Sequence, residues 1–418
     1  MWLRNATYWD QELQFRAADL LVDELGYITE ILPPDSSHTA REAEEFDCSE
    51  RLVLPGLVNA HFHSQASMLR GLRRKTPSEV QETLRTRAYE FLDKKASSEE
   101  FKTACMRDYI DLVHQGVTCC ADSGTGERDP LLYAEAMSDV GLRGIIDTYD
   151  SFEEVAGREG PESVLLHLAA HMPETDFSDD ALAKARKLKQ RFEPIFLVHI
   201  LETALHGEDD RGAWEESNLE LFAEHGLLSN RAVLLQAVDL SDEDIRILRE
   251  HQGSVVHCPV SGLPAIAPIL ELLESEINVA IGTDDERDIW EAMRVAYFML
   301  RDLDPDRRIK AEAVLDMATV NGAKAYWMDS LIGKIAPGFK ADLLFVDRNH
   351  LDLLPVVDQD GFSTRCHNLL MAGRSTIIKH VMVDGNWIMQ DQRILTVSEA
   401  HVHARYREMM GGIFENTP

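Results

Sequence analysis

The chain has 418 residues, enough for one large α/β unit and a smaller one with an ample buried core. Its formal net charge of −31 and pI near 4.8 repel phosphate backbones, which argues against nucleic acid as a partner and fits a solvated acidic surface. With 28% charged and 44% hydrophobic residues it has the composition of a soluble globular protein, and neither a run of 18 apolar residues nor a basic-then-apolar start suggests a membrane or secretory route.

Residues 1–54 read as short β pieces, "LLVDE", "GYITEIL" and "RLVLPG", punctuated by Gly and Pro. From 55 to 332 the texture changes. Apolar strands "GVTCCAD", "LRGIIDTYD", "PIFLVHIL", "RAVLLQAV", "GSVVHCPV" and "NVAIGTD" alternate with helical stretches such as "SSEEFKTACMRDYIDLVHQ", "DIRILREH" and "DIWEAMRVAYFMLRDL". Such alternation predicts a parallel sheet with crossover helices, and this many units favour a closed (β/α) barrel over an open sheet. The charged stretch 73–95 reads as a surface helix or a lid. Residues 333–400 return to β texture, with a Val-Asp-Gly-Asn hairpin turn, and 401–418 read as a helical tail. The six cysteines form no C-x-x-C pair, and Cys119 and Cys120 are adjacent; this suits reduced thiols in a cytoplasmic protein.

In a barrel, chemistry sits at the C-terminal ends of the strands. There the chain offers His61 and His63 after "RLVLPGLVNA", His199 after "PIFLV" with Glu202 three residues on, Gln236 after "RAVLL", His257 after "GSVV" and Asp284 after "NVAIGT". Residues i and i+2 of a strand point to one side, so both imidazoles of His61 and His63 can reach one ion. Taken singly, each residue has an ordinary explanation: a lone His257 is a core histidine, and "GTD" is a turn. The same H-x-H spacing at His401 and His403 lies in a helical segment, where i and i+2 do not share a face, and predicts a solvated surface.

The ordered combination resembles the amidohydrolase superfamily, in the branch of cytosine-, guanine- and adenosylhomocysteine-type deaminases and triazine chlorohydrolases. The segments that carry the resemblance are "LVLPGLVNAHFHSQASMLRG", "HILET", "LLQAVDLSDED", "VVHCPVSGL", "AIGTDD", "MATVNGAKAY" and "GKIAPGFKADLLFVD". It implies a distorted (β/α)8 barrel at 55–332, flanked by a β-sandwich built from 1–54 and 333–400. It also implies that His61, His63, His199 and Asp284 hold one divalent metal, with zinc foremost and iron as the alternative. Asp284 would take a proton from a metal-activated water, and Glu202 would pass one to the substrate nitrogen. His257 and Gln236 would face the substrate.

The pattern breaks at Gln236, where most relatives place a histidine. Glutamine cannot titrate, but its amide can donate to an oxyanion or fix a water. The segment Cys258-Pro259-Val260-Ser261-Gly262 departs from the usual Asn-Pro-x-Ser-Asn, and "ERDIW" after "TDD" lacks the usual small polar residues. These departures fall on substrate-facing elements. They lean the sequence reading toward amide hydrolysis in a small molecule or modified peptide from a natural-product pathway. Deamination of a cyclic amidine, supported by Glu202, is the alternative, and a catalytically idle scaffold is a third reading. The resemblance is compatible with a homodimer.

Overall fold

The computed structural model describes the chain apart from residues 11, 13, 35–43, 65, 70–83, 85, 125–127, 149–150, 156–168, 173–177, 201–217, 239, 262–267, 286–287, 305, 307–308, 360–361 and 415–418. The amino-terminal segment forms β1 (Trp2–Trp9), β2 (Phe15–Val22), β3 (Ile28–Leu32), β4 (Glu45–Asp47) and β5 (Arg51–Pro55). The central segment contributes β6 (Leu57–Phe62), β7 (Val117–Asp122), β8 (Arg143–Ile146), β9 (Ala169–Met172), β10 (Ile195–Ile200), β11 (Ala232–Gln236), β12 (Ser254–His257) and β13 (Asn278–Ile281). After these come β14 (Leu343–Asp347), the short hairpin β15 (Asp358–Gln359) and β16 (Phe362–Ser363), and then β17 (Ile378–Val383), β18 (Asn386–Gln390) and β19 (Arg393–Ile394).

The central strands are parallel. They run in two arcs, β6-β7-β8 and β13-β12-β11-β10-β9. A parallel bridge between Phe62 and Asp284 joins the end of β6 to the residues just past β13. Every residue of β6 and β7 is buried, as expected of parallel strands covered on both faces. The expected alternation is present: α1 (Ser98–His114) precedes β7, α2 (Pro130–Val140) precedes β8, α3 (Asp179–Phe192) precedes β10, and α4 (Asp242–His251) precedes β12. Their starts are written locally. Ser97 and Glu100 form a capping box on α1, Ser241 and Asp244 another on α4, and Asp129 caps α2 with Pro130 in its first turn. The fold is mixed α/β. Strand β9 was not among the segments picked out from sequence.

Strands from the two chain ends join in one nine-stranded sheet of order β19-β18-β17-β14-β5-β1-β2-β3, with β4 on β1. The sequence reading expected a sandwich of these same segments; the described pairing links them into a single sheet. The stretch read as a surface helix or a lid is helical where it is described, with Thr86, Arg87 and Glu90 exposed. Leu84, Ala88 and Leu92 are buried at a spacing of four, so one face of this segment packs into the interior. Helix α5 (Ile289–Leu303) follows the Asp284 loop, and α6 (Glu399–Phe414) closes the chain by packing on α1. Among the described residues no helix is long and apolar enough to cross a membrane.

Candidate metal centre

The site forms where β6 and β13 end side by side. The backbone N–H groups of Thr283 and Asp284 both donate to the His61 carbonyl at 2.9 Å. The buried Asn59 side chain grips Thr283 twice, donating to its hydroxyl at 2.8 Å and accepting from its backbone N–H at 3.2 Å. Gly282 is needed here, because a Cβ would lie 2.8 Å from His61 Cβ and 2.9 Å from Cys258 Sγ. These contacts bring the two histidines and Asp284 together although more than two hundred residues separate them.

His61 Nε2 lies 3.6 Å and His63 Nε2 3.2 Å from Asp284 Oδ1. The imidazole rings stand nearly at right angles, with centroids 4.9 Å apart. One ligand atom from each of the three residues lies within 4.8 Å of the others. The far ring nitrogens face oxygen. His61 Nδ1 is 3.0 Å from Ser123 Oγ, and His63 Nδ1 is 2.8 Å from the Gly124 carbonyl. A carbonyl only accepts, so His63 Nδ1 carries a proton, and Nε2 is the nitrogen that a second proton or a cation can take. This arrangement prepares an imidazole to ligate.

The loop bearing Ser123 and Gly124 is braced in turn. Asp122 accepts from Gly124 N at 2.9 Å and from the Tyr109 hydroxyl at 2.6 Å, and Gly124 takes a left-handed backbone conformation, φ +60°. Burial raises the Asp122 carboxyl, against the pull of its hydrogen bonds from Tyr109 and Ser64. Sequence reading missed Ser123, Gly124, Asp122 and Tyr109. Their only sequence signal is position at or just past the end of "GVTCCAD", and, for Tyr109, a buried place on the preceding helix.

Electrostatically the centre demands positive charge. Burial lowers the His63 pKa, but the hydrogen bond to Asp284 and the charges of Asp285 and Asp284 raise it more, and it is pushed up to about 10. Burial alone would raise Asp284; the contact with His63, the charges of His61 and His63 and the Ser261 hydroxyl outweigh it and hold the carboxyl well below its usual range. A proton on His63 Nε2 and a cation at the same place are alternatives, and two imidazoles plus a carboxylate are a donor set for a divalent ion.

The second carboxylate oxygen of Asp284 faces the other way. Oδ2 accepts from the Gln236 amide at 3.0 Å and from the Ser261 hydroxyl. Gln236 ends β11 and is 5% exposed; its Oε1 has no hydrogen-bond partner among the described residues. Gln236, Ala237 and Asp284 all take left-handed backbone angles, φ +64°, +47° and +53°. Non-glycine residues hold such angles at some cost, so the surrounding structure fixes them. His257 ends β12, buried, with Nε2 likewise lacking a described partner; burial pushes its pKa down to about 4 and keeps the ring neutral. Strand β10 brings His199 level with Leu235 and Ile200 level with Gln236, which sets that strand end beside the site. The His199 side chain and all of Glu202 lie outside the described residues. The terminal H-x-H pair is elsewhere, on α6, with His401 exposed and His403 Nδ1 4.0 Å from Glu399.

Residues 52–388 match the amidohydrolase family, most of the chain and all of the site. The chain belongs to the amidohydrolase family. It is accordingly an amidohydrolase, a metal-dependent enzyme acting on carbon–nitrogen bonds and not an ordinary protease. Among its curated relatives is a 5-methylthioadenosine/S-adenosylhomocysteine deaminase of Pyrococcus abyssi, 28% identical over 394 residues, covering 88% of this chain and 89% of the relative. A protein of the same description from Syntrophomonas wolfei is 27% identical over 387 residues, covering 87% of each. Among solved structures, a zinc-bound adenosine deaminase from Xanthomonas campestris superposes with a TM-score of 0.86 at 21% identity, covering 99% of this chain and 98% of that one. The zinc complex of atrazine chlorohydrolase from Arthrobacter aurescens gives a TM-score of 0.84 at 20% identity, covering 98% and 99%. At these identities the structures show a shared fold.

Proposed function

We propose that this amidohydrolase is an aminohydrolase: it replaces the exocyclic amino group of a cyclic amidine, such as a purine derivative, with oxygen and releases ammonia. The observation that carries the reading is the oriented triad His61–His63–Asp284, set in a chain whose curated relatives named above are deaminases across nearly their whole length. The amide-cleaving reading on a modified peptide has no counterpart among those relatives, and nothing in the site favours it. The two parallel arcs are read as one distorted barrel, closed at one seam by the Phe62–Asp284 bridge.

His61, His63 and Asp284 would hold the ion, with His199 completing the set from the end of β10. Zinc is favoured, since it is the metal named in the related structures reported above. When bound, such an ion supplies Lewis acidity that brings the pKa of a water to about 7. The chain's own residues do the rest. Ser123 and the Gly124 carbonyl fix the two imidazoles, which keeps their Nε2 lone pairs aimed at one point. Of the two Asp284 oxygens, Oδ1 is the one able to take a proton there, since Oδ2 already accepts two hydrogen bonds. The neutral His257 offers an unclaimed ring nitrogen to a substrate heteroatom. Glu202 is the candidate to protonate the ring nitrogen of the substrate.

The test is ammonia release by zinc-loaded protein on adenosine, 5-methylthioadenosine, S-adenosylhomocysteine, guanine and cytosine, beside a panel of amides. Turnover of at least one amidine well above the amides is the expected result. Turnover of amides alone would overturn the reading.

A further inference from the structure

Resting on the aminohydrolase reading, we infer that Gln236 is a specificity residue that reads an N–H of the departing amino group through its amide oxygen. The two ends of the Gln236 amide face different neighbours. Asp284 Oδ2, 3.0 Å from the Gln236 nitrogen, is an oxygen of an ionised carboxylate and has only lone pairs to offer. The NH2 end of the amide must therefore face it, and the carbonyl must face away. That carbonyl oxygen is buried and has no described partner. A buried acceptor left empty is costly, so a donor has to arrive when the site fills.

The place is the right one. The other oxygen of the same carboxylate lies 3.2 Å from His63 Nε2 and 3.6 Å from His61 Nε2, so Gln236 is one carboxylate away from the metal position. The hydrogen bond to Asp284 Oδ2 holds the side chain there. An oxyanion set against Oε1 would be repelled, so the oxygen has a role separate from the oxyanion donation that the sequence suggested for the amide N–H. In the reaction the water oxygen bonds to the ring carbon and the exocyclic C–N bond breaks. Of the two water protons, one leaves on the amino nitrogen as ammonia and the other stays on the ring of the lactam product. Throughout, the amino nitrogen carries at least one N–H that an acceptor can hold. A leaving group bound through oxygen or chlorine offers none.

The experiment uses zinc-loaded protein and two nearly isosteric probes, the 6-methylamino and 6-methoxy purine ribosides, with the 6-amino compound as reference. The kcat/KM ratio of methylamino to methoxy is measured in the wild type, in Gln236→Met and in Ser261→Ala. Intrinsic leaving-group reactivity cancels when ratios are compared between proteins. Gln236→Met removes the acceptor, and the ratio should fall by roughly 10- to 100-fold, the range for one buried polar atom left without its partner. Ser261→Ala removes the other donor to Asp284 Oδ2 without touching the amide oxygen. It should slow all probes together and leave the ratio within about twofold. Zinc content is measured for each protein; if Gln236→Met loses the metal, Gln236→Asn, which withdraws the carbonyl by one methylene, carries the comparison and should lower the ratio by a smaller factor. An unchanged ratio in the metal-loaded Gln236 variant, in a wild type that turns over the probes, overturns this inference alone. A wild type inactive on all three ribosides overturns this inference, and one inactive on every amidine of the panel overturns the aminohydrolase reading with it.

Discussion

Two regions of this molecule take polar side chains out of water, and they treat them differently. Where β8 meets the segment leading into β14, Arg143 and Asp342 are both buried. The guanidinium donates from Nε at 2.8 Å and from Nη2 at 3.0 Å to the two carboxylate oxygens. The Asp384 backbone N–H adds a third bond to Asp342 at 2.8 Å, and Asp384 itself lies 3.5 Å from the guanidinium. This geometry is bidentate and closed, and it ties the central strands to the terminal sheet. At the ends of β11 and β12, by contrast, Gln236 Oε1 and His257 Nε2 are buried without described partners. A structural pair satisfies itself within the fold, whereas a binding site keeps atoms in reserve for a ligand.

The largest expected effect comes from breaking the open region at its ligands. A His61→Ala, His63→Ala double variant should lose its metal and fall in kcat/KM by on the order of 10³ or more, since a Lewis acid contributes several kcal/mol. His401→Ala with His403→Ala should change neither. Metal analysis by mass spectrometry beside the activity assay checks both, and full metal retention in the first variant would sink the site. Asp284→Asn comes next. It keeps the shape but not the charge, and should reduce turnover by at least about 10²–10⁴ while weakening metal affinity. Stopped-time ammonia assays on zinc-saturated protein separate the two losses.

The closed region breaks differently. Arg143→Met leaves Asp342 buried beside no cation and should destabilise the fold by about 3–5 kcal/mol in urea unfolding. Metal stoichiometry of the folded fraction should remain that of the wild type. Adding Asp342→Asn removes the stranded charge and should recover a good part of the loss. If Arg143→Met lowered metal content as strongly as stability, the two regions would not be independent and the contrast would fail.

The two regions were also unequally legible in the sequence. His61, His63 and Asp284 could be picked out because each follows an apolar strand, and period-2 geometry says where their side chains point. Gln236 and His257 were found the same way. Ser123 and the Gly124 carbonyl could not be, because their roles depend on the register of β7 against β6, and that pairing shifts twice, between Leu57 and Val58 and between Asn59 and Phe62. Ser261 lay in a segment flagged only for departing from a family pattern; that its hydroxyl reaches Asp284 is a matter of tertiary geometry. The β texture of both termini was readable, and their union in one β unit came only with the family resemblance, since β5 pairs with β14 across about 290 residues. The Arg143–Asp342 pair gave no signal at all, because 199 residues separate its members and neither sits in a motif.

A third buried charge tests where the boundary between the two treatments runs, and it carries the smallest effect. Asp108, on α1, is fully buried beside Arg107, whose Nη1 donates to it at 2.6 Å, and α6 packs against the same helix through Tyr406. Burial pushes the Asp108 carboxyl from 3.8 up to about 7, against the opposing pull of Arg107 and of the Ser67 hydroxyl. Desolvation thus outweighs the attraction of its partner. The sign follows from linkage: a carboxyl whose folded pKa is raised favours the folded state in its protonated form. Its contribution is fully present below pH 3.8 and is lost as pH rises toward about 7. Above that it opposes folding by at most about 4 kcal/mol, three pH units at 1.36 kcal/mol each, and by less once the chain relaxes around the charge. Asp108→Asn keeps an acceptor for Arg107 and removes the titration. Relative to wild type, the variant should gain thermal stability between pH 5 and pH 8, with the difference in melting temperature growing by a few degrees across that window. Melting curves of the two proteins at four pH values would measure it. A constant difference would mean that Asp108 is ionised throughout and belongs with the self-satisfied pairs such as Arg143 and Asp342.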